Sequence, residues 1–432
     1  RGEVFCVVAR RREEMGRRVL LMDPFRVVQD HKNNVPGLHL PWVRTESFNP
    51  LDFIRENERD AVQDIFVLMD ALLTPPPPRA ASNAEHFYQS ARAIIGGYLA
   101  WVRFRVRPDM RNLQTVNDLL QMSPPQREQF GRDVRAMEPF AGGLTLEAVE
   151  RQAQVGKEEG GSNFSTIANQ LSFLRLTDMV ESTSRSSFDP SVLADGNTDL
   201  FVVVPESMLK HVRSWLRLWI TIPNAISMRS PLKRELLIVI DEMPRLGYLQ
   251  PVMDGYNMAA GRGVHFWSLA QSVSALVETW GRESTKTLMH LSEVVQYLGM
   301  SRMDVEGAEE VSRALGTATF EAQSESQSGT MSEARLIGGK TQSQAGETRS
   351  LVREGLVTRD ELMTLPADKQ FVVARPSDMP RDPLALEHTR YWEHRRVRGL
   401  WDPNPLVLAK NGLGSAKSAG EVAADVAGDA RR

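Results

Sequence analysis

The run Leu236-Leu237-Ile238-Val239-Ile240-Asp241-Glu242 decides the fold. Five consecutive apolar residues, three of them β-branched, suit a strand buried on both faces. The run stops on two carboxylates, and Met243-Pro244-Arg245-Leu246-Gly247 then turns the chain sharply away. The same pattern repeats on either side. Upstream, residues 3–15 read as a helix, Arg18 to Met22 as a strand ended by Asp23-Pro24, Leu200 to Val204 as a strand, and 207–227 as an amphipathic helix. Downstream come a strand at Val264–Leu269, a helix at 272–280, a strand at 293–298 and a helix at 304–315. Thr358-Arg359-Asp360-Glu361-Leu362 opens like a capped helix, and Gln370 to Ala374 closes the series as a strand. Alternating helices and all-apolar strands predict an α/β fold, with a mainly parallel sheet covered on both faces.

Between about 84 and 190 no strand signal interrupts the pattern. Phe87, Ala91, Ile94, Ile95, Tyr98 and Trp101 recur at three- and four-residue steps, a helical stripe. Asn112 to Leu120 starts a second helix. Residues 163–181 predict a third, with Phe164, Ile167, Leu171, Leu174 and Met179 on one face. The chain is therefore expected to divide into residues 1–80, an all-α domain over 81–195, and residues 196–408. Pro75 to Pro78 read as a stiff linker or turn. Residues 321–350, rich in Ser, Gln, Gly and Thr, read as a flexible loop, and the Ala/Gly/Ser-rich residues 409–432 as a disordered tail.

Composition narrows the class. A chain of 432 residues suits two lobes. At 41% hydrophobic and 25% charged it is neither disordered throughout, nor collagen-like, nor a membrane-embedded bundle. With 52 basic against 55 acidic residues the net charge is −3, so any nucleic-acid contact needs a local patch. The single cysteine, Cys6 within Val4-Phe5-Cys6-Val7-Val8, excludes an internal disulfide and reads as a core residue in a reducing compartment. No apolar stretch reaches the ~18 residues of a membrane span. The histidines show no HxxxH or HExxH spacing, so no transition-metal site is indicated. The first residues, Arg1-Gly2-Glu3, form no signal peptide and lack an initiating Met; the chain reads as part of a longer protein.

A hydrophobic strand ending in Asp-Glu at the carboxyl edge of a parallel sheet is how P-loop NTPases place their metal and water carboxylates. Asp241 would then orient the waters of Mg²⁺, and Glu242 would act as the base on the attacking water. Taken alone, the run equally fits a strand that ends in acids before a turn. Arg262, bracketed by Gly261 and Gly263, fits an arginine finger serving a neighbouring subunit, or a solvated loop residue. Gln271, at the end of the next strand, fits a sensor of the γ-phosphate and its water, or a helix-capping amide. Two basic groups could meet phosphates: Arg10-Arg11-Arg12 with Arg17-Arg18, and Arg390, Arg395, Arg396 and Arg398 among Tyr391, Trp392 and Trp401. The first reads better as a solvated helix face, the second as a snorkelling sheet edge.

Leu236 to Gly247, followed by Gln271-Ser272-Val273-Ser274-Ala275-Leu276 and Trp280-Gly281, resembles the VirD4/TraG family of type IV secretion and conjugation coupling proteins. Ser47-Phe48-Asn49-Pro50-Leu51-Asp52, Asp199 to Pro205 with Trp215-Leu216-Arg217-Leu218, and Leu356 to Leu362 are similar to further segments of that family. The resemblance implies a RecA-like P-loop NTPase core interrupted by an all-α domain linked to substrate recognition. It implies ATP and Mg²⁺ as cofactors and a homo-hexameric ring at the cytoplasmic face of the bacterial inner membrane. It implies a relaxase–ssDNA complex or secreted effector proteins as cargo, handed to components of the secretion channel.

One departure is large. The phosphate-binding pattern G-x-x-x-x-G-K-[ST] is absent; its nearest approach, Gly338-Gly339-Lys340-Thr341, has Ala334 where the first glycine belongs. The phosphate loop and membrane anchor are expected upstream of residue 1, which makes this the C-terminal part of a coupling protein. Without that cradle the chain is expected to bind Mg-ATP weakly and hydrolyse it negligibly. The alternatives are a non-hydrolysing substrate-docking adaptor that lost its P-loop, and a DNA-packaging or repair ATPase with the same core.

Overall fold

The computed structural model describes residues 2–35, 38, 40, 43–76, 82–154, 157–258, 260–298, 304–328, 344–366, 368–375 and 382–410. The chain forms two compact units, one from residues 1–271, 275–291 and 390–432, the other from 272–274 and 292–389.

The first unit opens with α1 (Glu3–Glu14), β1 (Arg18–Met22) and α2 (Val27–Asn34). Asp23, at the end of β1, accepts hydrogen bonds from the Val27 and Val28 amides at 2.9 and 2.7 Å. The Asp-Pro turn thus doubles as the start of α2, and burial pushes the Asp23 carboxyl above its usual range. Then come α3 (Glu58–Leu72), α4 (Ser82–Arg105), α5 (Leu113–Leu120), α6 (Pro124–Arg135), α7 (Leu144–Gln154), α8 (Lys157–Gln170) and α9 (Thr177–Ser184). Among the described residues of 82–195 every regular element is a helix.

The helix expected over 163–181 is broken. α8 stops at Gln170, a 3-10 turn covers Ser172–Arg175, and α9 begins at Thr177. Leu171, Phe173 and Leu174 are all buried, so this corner is set by core packing rather than by a break in the apolar stripe. At Gly97 a Cβ would come within 2.4 Å of the Ala148 Cβ, so glycine permits the close approach of α4 and α7.

β2 (Thr198–Val202) pairs parallel with β1, from Arg18 opposite Thr198 to Met22 opposite Val202. The helix expected at 207–227 starts later, as α10 (Arg213–Arg229), after a 3-10 turn at Glu206–Met208. One hydrophobic core runs from Leu20, Phe48 and Leu51 through α3, α4 and α5 to Trp215, Trp219 and Ile226 of α10. This core joins the helices of 82–184 to β1, the 47–54 segment and α10. β3 (Leu236–Ile240), α11 (Gln250–Met258) and β4 (Val264–Ser268) follow, then α12 (Val273–Trp280) and α13 (Arg282–Leu291). Cys6 is buried, and that burial pushes its thiol up to about 12.

The second unit holds β5 (Val294–Leu298), α14 (Val305–Leu315), β6 (Thr317–Ser328), β7 (Gln344–Gly355), α15 (Arg359–Met363), β8 (Lys369–Ala374) and β9 (Leu384–Glu387). β5 pairs antiparallel with β8, and β8 antiparallel with β9. The expected flexible loop at 321–350 is corrected in part: β6 and β7 form an antiparallel ladder from Thr317 opposite Gly355 to Ser328 opposite Gln344. A ladder satisfies its own backbone polar groups, so a polar composition does not forbid it. The rest of that loop, 329–343, lies outside the described residues. Thr358 and Glu361 cap α15 reciprocally, as their spacing predicts. The tail expected from 409 begins inside α16 (Pro405–Lys410) of the first unit; residues 411–432 lie outside the described residues.

Candidate functional site: the carboxyl ends of two parallel strands

β3 and β4 run side by side in parallel, Leu236 opposite Val264 through Ile240 opposite Ser268. Parallel pairing brings both carboxyl ends to one edge. The Leu269 amide donates to the Ile240 carbonyl at 2.8 Å, and the Met243 amide donates to the Leu269 carbonyl at 3.0 Å. The ladder thus extends past both strands and fixes Asp241-Glu242 beside Leu269–Gln271. There the Gln271 Nε2 donates to the Glu242 Oε2 at 2.9 Å. Asp241 is exposed and Glu242 half-buried.

Arg262 is not part of this group. It ends a 3-10 turn, Ala260–Arg262, just before β4, so a five-residue strand of roughly 16 Å separates it from Gln271. It is exposed and makes no ion pair among the described residues.

The turn after the acids is anchored by burial. Met243, Leu246 and Leu249 join Ile238, Ile240 and Trp280 in one core. Gly247 leaves the turn at φ 73°, where a side chain would be strained. Behind it lies Arg217 of α10, 1% exposed. Its Nη1 donates to the Tyr248 carbonyl at 3.2 Å and to Thr74 Oγ1 at 3.0 Å; its Nη2 donates to the Asp70 and Leu73 carbonyls at 2.9 and 3.3 Å. All four acceptors are uncharged, and burial pushes the guanidinium down to about 10. In the sequence this role is signalled only by a cation inside the otherwise apolar run Trp215-Leu216-Arg217-Leu218-Trp219-Ile220 of a helix buried nearly all round.

The expected two-sided cover of the sheet is corrected. On β3 only Ile238 and Ile240 are buried; Leu237 is 53% and Val239 56% exposed, and Trp267 of β4 is 55% exposed. Apolar composition on both faces says that both can be buried, not that this chain supplies a partner for each.

The first basic group is largely paired within the fold, and of the second only Arg390 has an ion pair among the described residues. Arg10 pairs with Asp402 and Glu14, Arg11 with Glu14, and both Arg12 and Arg17 with Asp199. Burial works to raise the Asp199 carboxyl, but the two guanidinium hydrogen bonds hold it below the usual range. Arg390 pairs with Glu393, and Tyr391 packs edge-on against Trp392 and Trp401 at 4.8 and 5.3 Å.

Asp241, Glu242 and Gln271 form a donor and acceptor set that suits a hydrated Mg²⁺ and the water side of a phosphoryl group. Among the described residues no group of three or more His, Cys, Asp or Glu could hold a metal ion, so any Mg²⁺ here would need oxygens from water or a phosphate beside Asp241. The set contains no cation to neutralise phosphates, and the 432 residues carry no G-x-x-x-x-G-K-[ST] pattern. Gly338 to Thr341 lie outside the described residues. Among the described residues no helix is long and apolar enough to cross a membrane.

A model of the family described as "Type IV secretory system Conjugative DNA transfer" matches residues 1–405. The conjugal transfer protein TraG of Agrobacterium fabrum is 22% identical over 374 residues, 86% of this chain and 53% of that protein. The type IV secretion system-coupling protein VirD4 of Bartonella henselae is 23% identical over 333 residues, 76% of this chain and 49% of that protein. The chain thus spans about half the length of the curated relatives it matches. Among solved structures, the plasmid coupling protein TrwB in complex with a non-hydrolysable ATP analogue superposes with a TM-score of 0.60 at 17% identity, covering 90% of this chain and 76% of that one. TrwB in complex with ADP and Mg²⁺ gives 0.58 at 18% identity, covering 87% and 78%. This likeness shows the fold: the α/β, RecA-like architecture of TrwB.

Proposed function

We propose that this chain, which belongs to the type IV secretory system conjugative DNA transfer family, carries the water-activating side of an ATP-driven motor that recruits substrates and passes them to a secretion channel. One observation carries the reading: the hydrogen bond from Gln271 to Glu242, made where two parallel strands end beside the exposed Asp241. Bound Mg-ATP would supply the phosphoryl electrophile. Asp241 would hold the metal's waters, Glu242 would take the proton of the attacking water, and Gln271 would hold the Glu242 carboxylate in place.

Arg262 fits the same reading through a neighbour. It sits at the far end of β4 from its own carboxylates, exposed and without an ion pair among the described residues. A homo-hexameric ring at the inner membrane would bring it to the next subunit's site. A relaxase–ssDNA complex or effector proteins would be the cargo.

The test is ATP turnover. In this chain alone, phosphate release should match an Asp241→Ala/Glu242→Ala control at equal protein concentration. In the full-length gene product, Glu242→Gln should slow turnover by about 10²–10⁴-fold while nucleotide binding is kept. Equal, measurable turnover by wild type and Glu242→Gln in that protein would overturn the role given to Glu242; no turnover by either would overturn the motor and favour the non-hydrolysing adaptor.

A further inference from the structure

A polar cavity of about 290 Å³ opens at the amino-terminal end of α10, lined by Thr74, Gln170, Lys210, His211, Arg213 and Ser214, among others. None of its lining residues is acidic. α10 is 17 residues long, and no side chain caps its first turn. Free amides and the positive end of the helix therefore meet the cavity. Lys210, exposed, and Arg213, half-buried, make no ion pair among the described residues. The Nε of Arg213 is buried and has no hydrogen-bond partner.

A third cation stands behind the wall. Arg217 donates to the lining hydroxyl Thr74 Oγ1, and its own Nε is buried without a partner. The nearest acidic side chain acting on it, Asp70, is already paired with Arg92. Thr74 and Ser214 both donate to the Gln170 Oε1, which ties the end of α8 to this floor. Buried and half-buried cations with no counter-charge are unfavourable, so an anion at this point would be held strongly.

We infer that this cavity seats a phosphate group. The lining brings together donors of several kinds: a guanidinium, an ammonium, an imidazole, hydroxyls and the first turn of α10. That arrangement matches a tetrahedral oxyanion with several acceptor oxygens better than a flat carboxylate. The occupant is a backbone phosphate of single-stranded nucleic acid, a source that rests on the proposed function; the phosphate chemistry itself does not. The pocket differs from the Asp241–Glu242 edge, whose two carboxylates carry the opposite charge.

The test measures anisotropy of a fluorescent oligo-dT across a salt series, with wild type, Lys210→Gln and Lys210→Gln/Arg213→Gln. Two lost phosphate contacts should lower the slope of log K against log salt by about 1.4, at roughly 0.7 per contact on a single strand. Affinity should fall about tenfold or more, with Lys210→Gln in between; because Lys210 is exposed, that variant keeps its fold even if the double variant does not. In parallel, the His211 imidazole resonance is followed as inorganic phosphate, ADP or the oligonucleotide is added. A His211 shift with the oligonucleotide and a reduced slope support the inference. A shift with inorganic phosphate or ADP alone, with oligonucleotide binding unchanged, supports the phosphate pocket and overturns its nucleic-acid source. Unchanged binding and an unmoved resonance in every arm overturn the inference. No hydrolysis enters these measurements, so their failure leaves the motor reading standing.

Discussion

Replacing Arg217 with Leu tests how the turn behind the carboxylates is held. Arg217 binds four oxygens on three segments: Asp70 and Leu73 at the end of α3, Thr74 beyond it, and Tyr248 after the acidic turn. Leucine removes every donor. Thr74 keeps Gln170 as a partner at 3.3 Å, so three backbone carbonyls lose theirs. Each buried, unsatisfied acceptor costs about 1–3 kcal/mol, a gross loss of roughly 3–9 kcal/mol. Against that stands relief from burying the charge. The guanidinium is pushed down to about 10, and at 1.36 kcal/mol for each pH unit this is worth about 3 kcal/mol. The net loss should be about 3 kcal/mol, the middle of a span of roughly 0–6 kcal/mol. At ~2–4 °C per kcal/mol, a loss of about 3 kcal/mol lowers the melting temperature by about 6–12 °C. Trp215 and Trp219, on the same helix and in the same core, report the transition by fluorescence in urea. Arg217→Lys, which keeps charge without the planar fork, should fall between the two. A loss below about 1 kcal/mol in Arg217→Leu would refute the clamp.

The single-sided sheet predicts a contrast within one strand. Leu237→Lys should change stability by no more than about 0.5 kcal/mol, whereas Ile238→Ala should cost about 2–5 kcal/mol; equal losses in denaturation would contradict the exposed face. The cluster at Asp199 predicts acid sensitivity. Its folded carboxyl lies below its unfolded range, so its stabilisation is complete above about pH 4 and is lost as pH falls through the lower folded value. Asp199→Asn should cost about 1–2 kcal/mol at pH 7 and nothing at the acid end, and a loss independent of pH would remove the ion-pair account.

The candidate site was legible because its signals are local. β3, its terminal acids, the following turn and Gln271 at the end of β4 all follow from apolar runs and their punctuation. So do the Thr358–Glu361 cap and, in the second unit, strands β5 and β8. What local signals leave open is pairing and cover. β5 reads as a strand, yet only pairing with β8 makes it antiparallel. Leu171 and Phe173 continue a helical stripe by sequence, yet the core bends the chain there. Polar β6 and β7 look like a loop until the backbone ladder between them is seen.

By itself, the order of residues determined the strands β1 to β5 and β8, most of the helices, the α/β class and the adjacency of Asp241 and Glu242, because strand and turn preferences act within a few neighbours. Tertiary structure alone decided that Gln271 meets Glu242 while Arg262 does not. It also decided that Arg217 is buried against carbonyls, and that basic side chains converge at the start of α10. Those outcomes depend on segments tens of residues to more than a hundred residues apart, and only packing brings such segments within hydrogen-bonding distance.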